Sequence, residues 1–149
     1  MLRQCASATL ALMLTALAHG AAGTDSVTGL PVPDAASGMS LDTPMKIDPV
    51  QVCKSMQTSN FYVVSGAKTS TVIAWYAAHL KGFRHMHAYA SGRAQDGFVN
   101  ADGSLLVGIT GSPAADGADS GAYAVTYVAL KPGASDKVLT GLMTQHLSC

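Results

Sequence analysis

The sequence predicts an α+β domain: an antiparallel sheet of about four to five strands with helices packed on one face and one disulfide. Three observations point there. Hydrophobic periods along the chain read helix, strand, helix, a run of strands, helix. The later strands are joined by connections of hairpin length, which pairs neighbours antiparallel and leaves the helices to cover a face. Two cysteines, Cys53 and Cys149, lie near the two ends of the region that carries this pattern.

The N-terminus opens with one positive charge, Arg3, and then the apolar run from Ala6 to Ala18. As a helix that run rises only ~20 Å, too short to cross a bilayer. Small residues at Ala16-Leu17-Ala18 and Gly20-Ala21-Ala22 offer cleavage sites, so residues 1–22 read as a secretory signal peptide. Cys5 leaves with it. The remaining pair, Cys53 and Cys149, then suits a disulfide in an oxidising compartment, constraining the unfolded chain by roughly 4 to 5 kcal/mol in the loop-entropy model. No later apolar stretch reaches the length of a transmembrane helix, so the expected address is periplasmic or secreted.

Residues 23–48 are rich in Gly, Pro, Ser, Thr and Asp without a hydrophobic period, and read as a flexible N-terminal arm outside the core. The single domain is expected over residues 49–149. Asp48-Pro49 is an N-cap and first-turn pair that predicts a short helix carrying Cys53. Phe61-Tyr62-Val63-Val64 predicts a brief strand, closed by Ser65-Gly66. The clearest helix runs from Thr69 or Ser70 to Lys81, with Val72, Ile73, Trp75, Tyr76, His79 and Leu80 on one broad face and Gly82 ending it.

Past Gly82 the period becomes two. Phe83 to Ala90 alternates His85, His87 and Tyr89 against Arg84, Met86 and Ala88. Gln95 to Asn100 and Ser104 to Thr110 flank Asn100-Ala101-Asp102-Gly103, a hairpin signal. Gly111 to Gly121 reads as a mobile surface loop, Ala122 to Leu130 as the longest strand. Ser135 as N-cap and Asp136 in the first turn open a last helix that buries Val138, Leu139, Leu142, Met143 and Leu147.

The stretch from Ser65-Gly66-Ala67-Lys68-Thr69 through Ala74-Trp75-Tyr76 and His79-Leu80-Lys81-Gly82-Phe83, with Asn100-Ala101-Asp102-Gly103 beyond it, resembles small exported proteins of Gram-negative bacteria that have no assigned activity. The resemblance covers roughly residues 60–130. It implies an envelope protein and brings no catalytic residues with it.

Composition narrows the chemistry. The 149 residues carry nine basic and nine acidic side chains, a balance that excludes steering to nucleic acid by net charge. All the acids are Asp, so the HExxH zinc helix, the EF-hand with its final Glu and any Glu-based glycosidase are excluded. His85 and His87, two apart on a strand, point to one face and could share a zinc or copper ion, with His79, His146 or Asp96 as the third ligand. Ser112, Asp116 and Asp119 form a candidate interaction loop, or the nucleophile and acids of a small hydrolase, though no GxSxG elbow is present.

The favoured expectation is an exported, non-catalytic binding or interaction module with no cofactor, whose partner is another envelope protein; an inhibitor or immunity-type protein is one form of it. A zinc- or copper-binding periplasmic protein and a small hydrolase are the alternatives.

Overall fold

The computed structural model describes residues 23–34, 37–47, 56–90, 92–113 and 119–144. The expected signal peptide, the expected Cys53 helix, and Cys53, His146 and Cys149 themselves lie outside them. Within the described residues the elements are β1 (Ser40–Leu41), β2 (Met45–Ile47), β3 (Met56–Ser65), α1 (Thr69–His79), β4 (Arg84–Ala90), β5 (Arg93–Val99), β6 (Leu105–Pro113), β7 (Asp119–Leu130) and α2 (Asp136–Thr144).

Among the described residues the fold is an antiparallel sheet with two helices, α+β as expected, but the sheet has seven strands rather than four or five. Its order is β1-β3-β7-β6-β5-β4, with β2 also paired to β3. Every pairing is antiparallel. The hairpin over Asn100–Gly103 forms as expected. Asn100 Oδ1 accepts the Leu105 N–H at 3.0 Å, and Asp102 Oδ1 accepts the Ser104 N–H at 3.0 Å. Gly103, at φ +71°, passes so close to Ala134 that a Cβ would stand 3.1 Å from the Ala134 carbonyl oxygen.

Register sorts the side chains into two faces, because directly paired residues project to the same side. On the first face one row runs Tyr62, Val125, Ile109, Asp96, His87; the next runs Asn60, Tyr127, Val107, Phe98, His85. Val72, Tyr76 and Leu80 of α1 and its end cover the apolar middle of these rows. On the second face Met86, Val99, Leu106, Val128 and Leu130 pack under Leu139 and Met143 of α2. The two helices therefore occupy opposite faces, which corrects the one-faced expectation. The central strands require it: Leu106 and Val107, adjacent in β6, are both buried, as are Tyr127 and Val128 in β7.

The described residues 23–34 and 37–47, expected as an arm outside the core, are packed on the sheet. Met39 is buried in the first-face core, and Leu30 and Val32 lie against it. Asp25, 1% exposed, anchors the segment. Its Oδ1 accepts the Val27 and Thr28 N–H groups at 3.1 and 2.8 Å and the Thr28 hydroxyl at 2.8 Å. Its Oδ2 accepts Asn60 Nδ2 at 2.7 Å and the Tyr62 hydroxyl at 2.8 Å. The Tyr127 hydroxyl, 2.7 Å from that of Tyr76, donates to the Pro31 carbonyl at 2.8 Å. A polar, Pro-rich segment is held here by its hydrogen bonds, a device that hydrophobic periodicity does not register.

Burial pushes the Asp25 carboxyl up, but the hydrogen bonds from Asn60, Thr28 and Tyr62 outweigh it and hold the group below the ordinary carboxylate range. Burial, the bond to Asp25 and its charge raise the Tyr62 hydroxyl to about 12. Because the folded Asp25 value is depressed, its stabilisation is complete above the unfolded value of about 3.9 and is lost as pH falls through the folded one. Urea midpoints followed from about pH 5 downward should therefore fall more steeply in the wild-type chain than in Asp25→Asn, which starts less stable at neutral pH.

On the second face the pairing of Gly97 with both Met86 and Gly108 opens a groove that Met143 fills. A Cβ on Gly97 would stand 2.6 Å from Met143 Sδ. Gly97→Val is expected to cost about 1–3 kcal/mol by overpacking, and the cost should shrink in combination with Met143→Ala, as urea denaturation of the two single variants and the double variant would show.

Candidate metal centre

The first face ends at the sheet edge in a grouping of His85, His87 and Asp96. β4 contributes His85 and His87, two residues apart and so on one side of the strand. β5 contributes Asp96, which the register sets directly across from His87 and diagonal to His85. His85 Nε2 lies 2.9 Å and His87 Nδ1 2.7 Å from the same oxygen, Asp96 Oδ1. One ligand atom from each of the three residues falls within 4.8 Å of the others.

The surroundings hold this arrangement. Phe98, buried and two residues along β5 from Asp96, stacks beneath His85 with ring centroids 4.6 Å apart and planes 6° from parallel. The His85 and His87 rings stand 4.2 Å apart. The Asp96 side chain is 7% exposed, that of His85 34% and that of His87 70%, so the carboxylate forms a floor and the imidazoles a rim open to solvent. A carboxylate can only accept, so His85 donates from Nε2 to Asp96 and has its proton on that nitrogen, whereas His87 Nδ1 is close to the same oxygen without making a hydrogen bond to it.

Of the proposed third ligands among the described residues, Asp96 joins His85 and His87; His146 lies outside those residues. His79 does not join them: it lies on α1, stacked on Trp75 at 4.0 Å, and its Nδ1 donates to the Trp75 carbonyl at 2.8 Å, one helical turn back. The helix keeps this imidazole for itself. The expected interaction loop is also redrawn. β6 continues to Pro113 and β7 begins at Asp119, with those two residues paired, so Ser112 and Asp119 belong to strands. Asp116 lies outside the described residues.

Comparison with family models, curated proteins and solved structures finds no match for this chain.

A second polar grouping, which the sequence reading did not single out, lies beyond the hairpin. Here Arg84, Asn100, Asp102, Asp136 and Leu139 border a cleft of about 540 Å³. Arg84 and Asp136 pair across it at 2.6 Å, both well exposed, an ion pair of the kind that contributes little. Asp102 is occupied by Ser104, whose N–H and hydroxyl bond its Oδ1. The cleft's charges thus satisfy one another, whereas the His rim presents nitrogens to solvent.

The bond to Asp96 predicts a specific tautomer for His85. Long-range ¹⁵N–¹H correlation spectra of the metal-free neutral ring should show His85 as the Nε2–H form. Asp96→Ala should return His85 to a mixed population without shifting the His79 signals.

Proposed function

We propose that this chain is a metal-binding module of an exported protein, holding one zinc or cupric ion on His85, His87 and Asp96. One observation carries the reading: two imidazole nitrogens converge on one oxygen of a nearly buried carboxylate, all three groups set by a single strand register. Tetrahedral zinc–nitrogen and zinc–oxygen bonds of about 2.0–2.2 Å place neighbouring ligand atoms about 3.3–3.5 Å apart. The metal-free His–Asp spacings of 2.7 and 2.9 Å would open by about 0.4 to 0.8 Å, and the two imidazole nitrogens already lie within 4.8 Å of each other. His85 would move its proton from Nε2 to its other nitrogen, and the cation would take the place of that proton between the imidazoles and Asp96.

The donor set selects the ion. Two imidazoles with one carboxylate suit Zn²⁺ and Cu²⁺; thiolate and thioether, which favour Cu⁺, are missing from the trio, and Ca²⁺ and Mg²⁺ prefer oxygen throughout. Three protein ligands leave a position for water or an exogenous group, and a bound cation would polarise whatever occupies it. Exposure of the His rim suits reversible binding or delivery better than sealed catalysis.

The address belongs to the same proposal. Removal of residues 1–22 would release the chain to the periplasm or the medium, with Cys53 and Cys149 joined. The reading of an interaction module is compatible with a bound cation, whose open position is itself a contact point for an envelope partner.

Titration calorimetry on untagged, chelator-stripped protein should give one Zn²⁺ or Cu²⁺ per chain, Cu²⁺ the tighter of the two, with no response to Mg²⁺ or Ca²⁺. His85→Ala and Asp96→Ala should each weaken binding by roughly tenfold or more, which corresponds to about 1.4 kcal/mol, while His79→Ala leaves it unchanged. Binding that persists undiminished in His85→Ala would refute the assignment.

A further inference from the structure

The two edges of the sheet are built unlike each other. On one side the outer flank of β3 is capped by β1 and β2, strands of two and three residues, and β2 carries Lys46. Short strands and an edge lysine are devices that keep a foreign strand from pairing. The opposite edge has none of them. β4 is seven residues long, Arg84 to Ala90, pairs with β5 in register without a bulge, and contains neither Pro nor Lys. Among the described residues no strand pairs with its outer side.

That edge also carries the most exposed large hydrophobic residue of those described: Tyr89, 76% exposed, on the same side of the strand as His85 and His87. A regular, uncapped strand with an exposed aromatic side chain is a template for another strand.

We propose that β4 docks a second copy of this chain, the two β4 strands pairing antiparallel about a two-fold axis so that two sheets become one. The sequence of the strand is complementary to itself in this arrangement. With the axis at His87, the side chain of His85 faces the partner's Tyr89, Met86 faces the partner's Ala88, and His87 faces its own symmetry mate, so ring packs on ring on one side and apolar on apolar on the other. The single charge of β4, Arg84, falls opposite the partner's Ala90 and is already paired with Asp136 at 2.6 Å. No like charges meet. Paired residues share a parity, so the first face of one copy continues as the first face of the other.

Such pairing sets the two Asp96 carboxylates three strand spacings apart, ~14 Å, and each copy keeps its own His85, His87 and Asp96 cluster. The association therefore does not depend on a metal ion, and it is tested in chelator. Sedimentation of the untagged chain should show a monomer–dimer equilibrium. Hydrogen exchange should show outward amides of β4 slowing as concentration rises, with β1 and β2 amides unaffected.

Tyr89→Lys, which puts an edge lysine where the other edge has one and leaves every proposed ligand intact, should weaken dimerisation by about tenfold or more with unchanged circular dichroism; Tyr89→Phe should restore it. A chain that stays monomeric up to millimolar concentration overturns the proposal. So does a dimer whose β4 amides exchange at the monomer rate, or an edge protected by unrelated extended peptides and not by more of the same chain.

Discussion

Strand register is the constraint on which the rest of this molecule depends. Five strands contribute to each of the two rows that cross the first face, and the period of two fixes which side every residue serves. Slipping β5 by a single residue against β6 would carry Asp96 and Phe98 to the α2 side and bring Gln95 and Gly97 under α1. The carboxylate would lose both imidazoles, and Met143 would lose its groove. The packing of the core and the assembly of the His-Asp cluster are thus one event. Buried Phe98 and Ile109, members of those rows, supply the apolar energy that holds Asp96 in place.

Much of this was legible in the chain. The helix from Thr69 announced itself by offsets of three and four, and Val72 and Tyr76 are indeed its buried residues. Asn100-Ala101-Asp102-Gly103 announced the hairpin because its side chains can bond their own backbone. The His85/His87 pair was readable from spacing alone, and Asp96 could be placed among its partners. Choosing Asp96 over His79 was not possible without register, since periodicity places residues on faces of an element and says nothing of which residues meet between elements.

The misses have physical causes. The placement of the helices on opposite faces has a signal in the sequence: Leu105-Leu106-Val107 and Tyr127-Val128 are apolar on consecutive residues, the pattern of strands buried on both faces. β1 and β2 escaped notice because they are held as short edge additions to β3, not by an apolar stripe. The packing of residues 23–34 was illegible for another reason. Its anchor is a carboxylate, and a buried Asp is recognisable only when its donors, here from residues 27, 28, 60 and 62, are seen together.

The two ends of the first face show why one buried carboxylate is structural and the other is a candidate for chemistry. Asp25, beyond β3, accepts five hydrogen bonds spread over both oxygens, from backbone amides, an amide side chain and two hydroxyls. With both oxygens occupied by these donors, displacing any of them would leave part of a buried charge unpaired. Asp96, at the β4 end, receives both of its imidazoles on one oxygen. A neutral imidazole whose proton moves from one nitrogen to the other gains a lone pair at the first, so the same nitrogen can hold a proton or a metal. The rim position of His87 lets solvent take part in that exchange, whereas nothing comparable reaches Asp25. The sheet thus sets a partly exposed His-Asp cluster at its β4 edge and a saturated carboxylate beside its β3 edge.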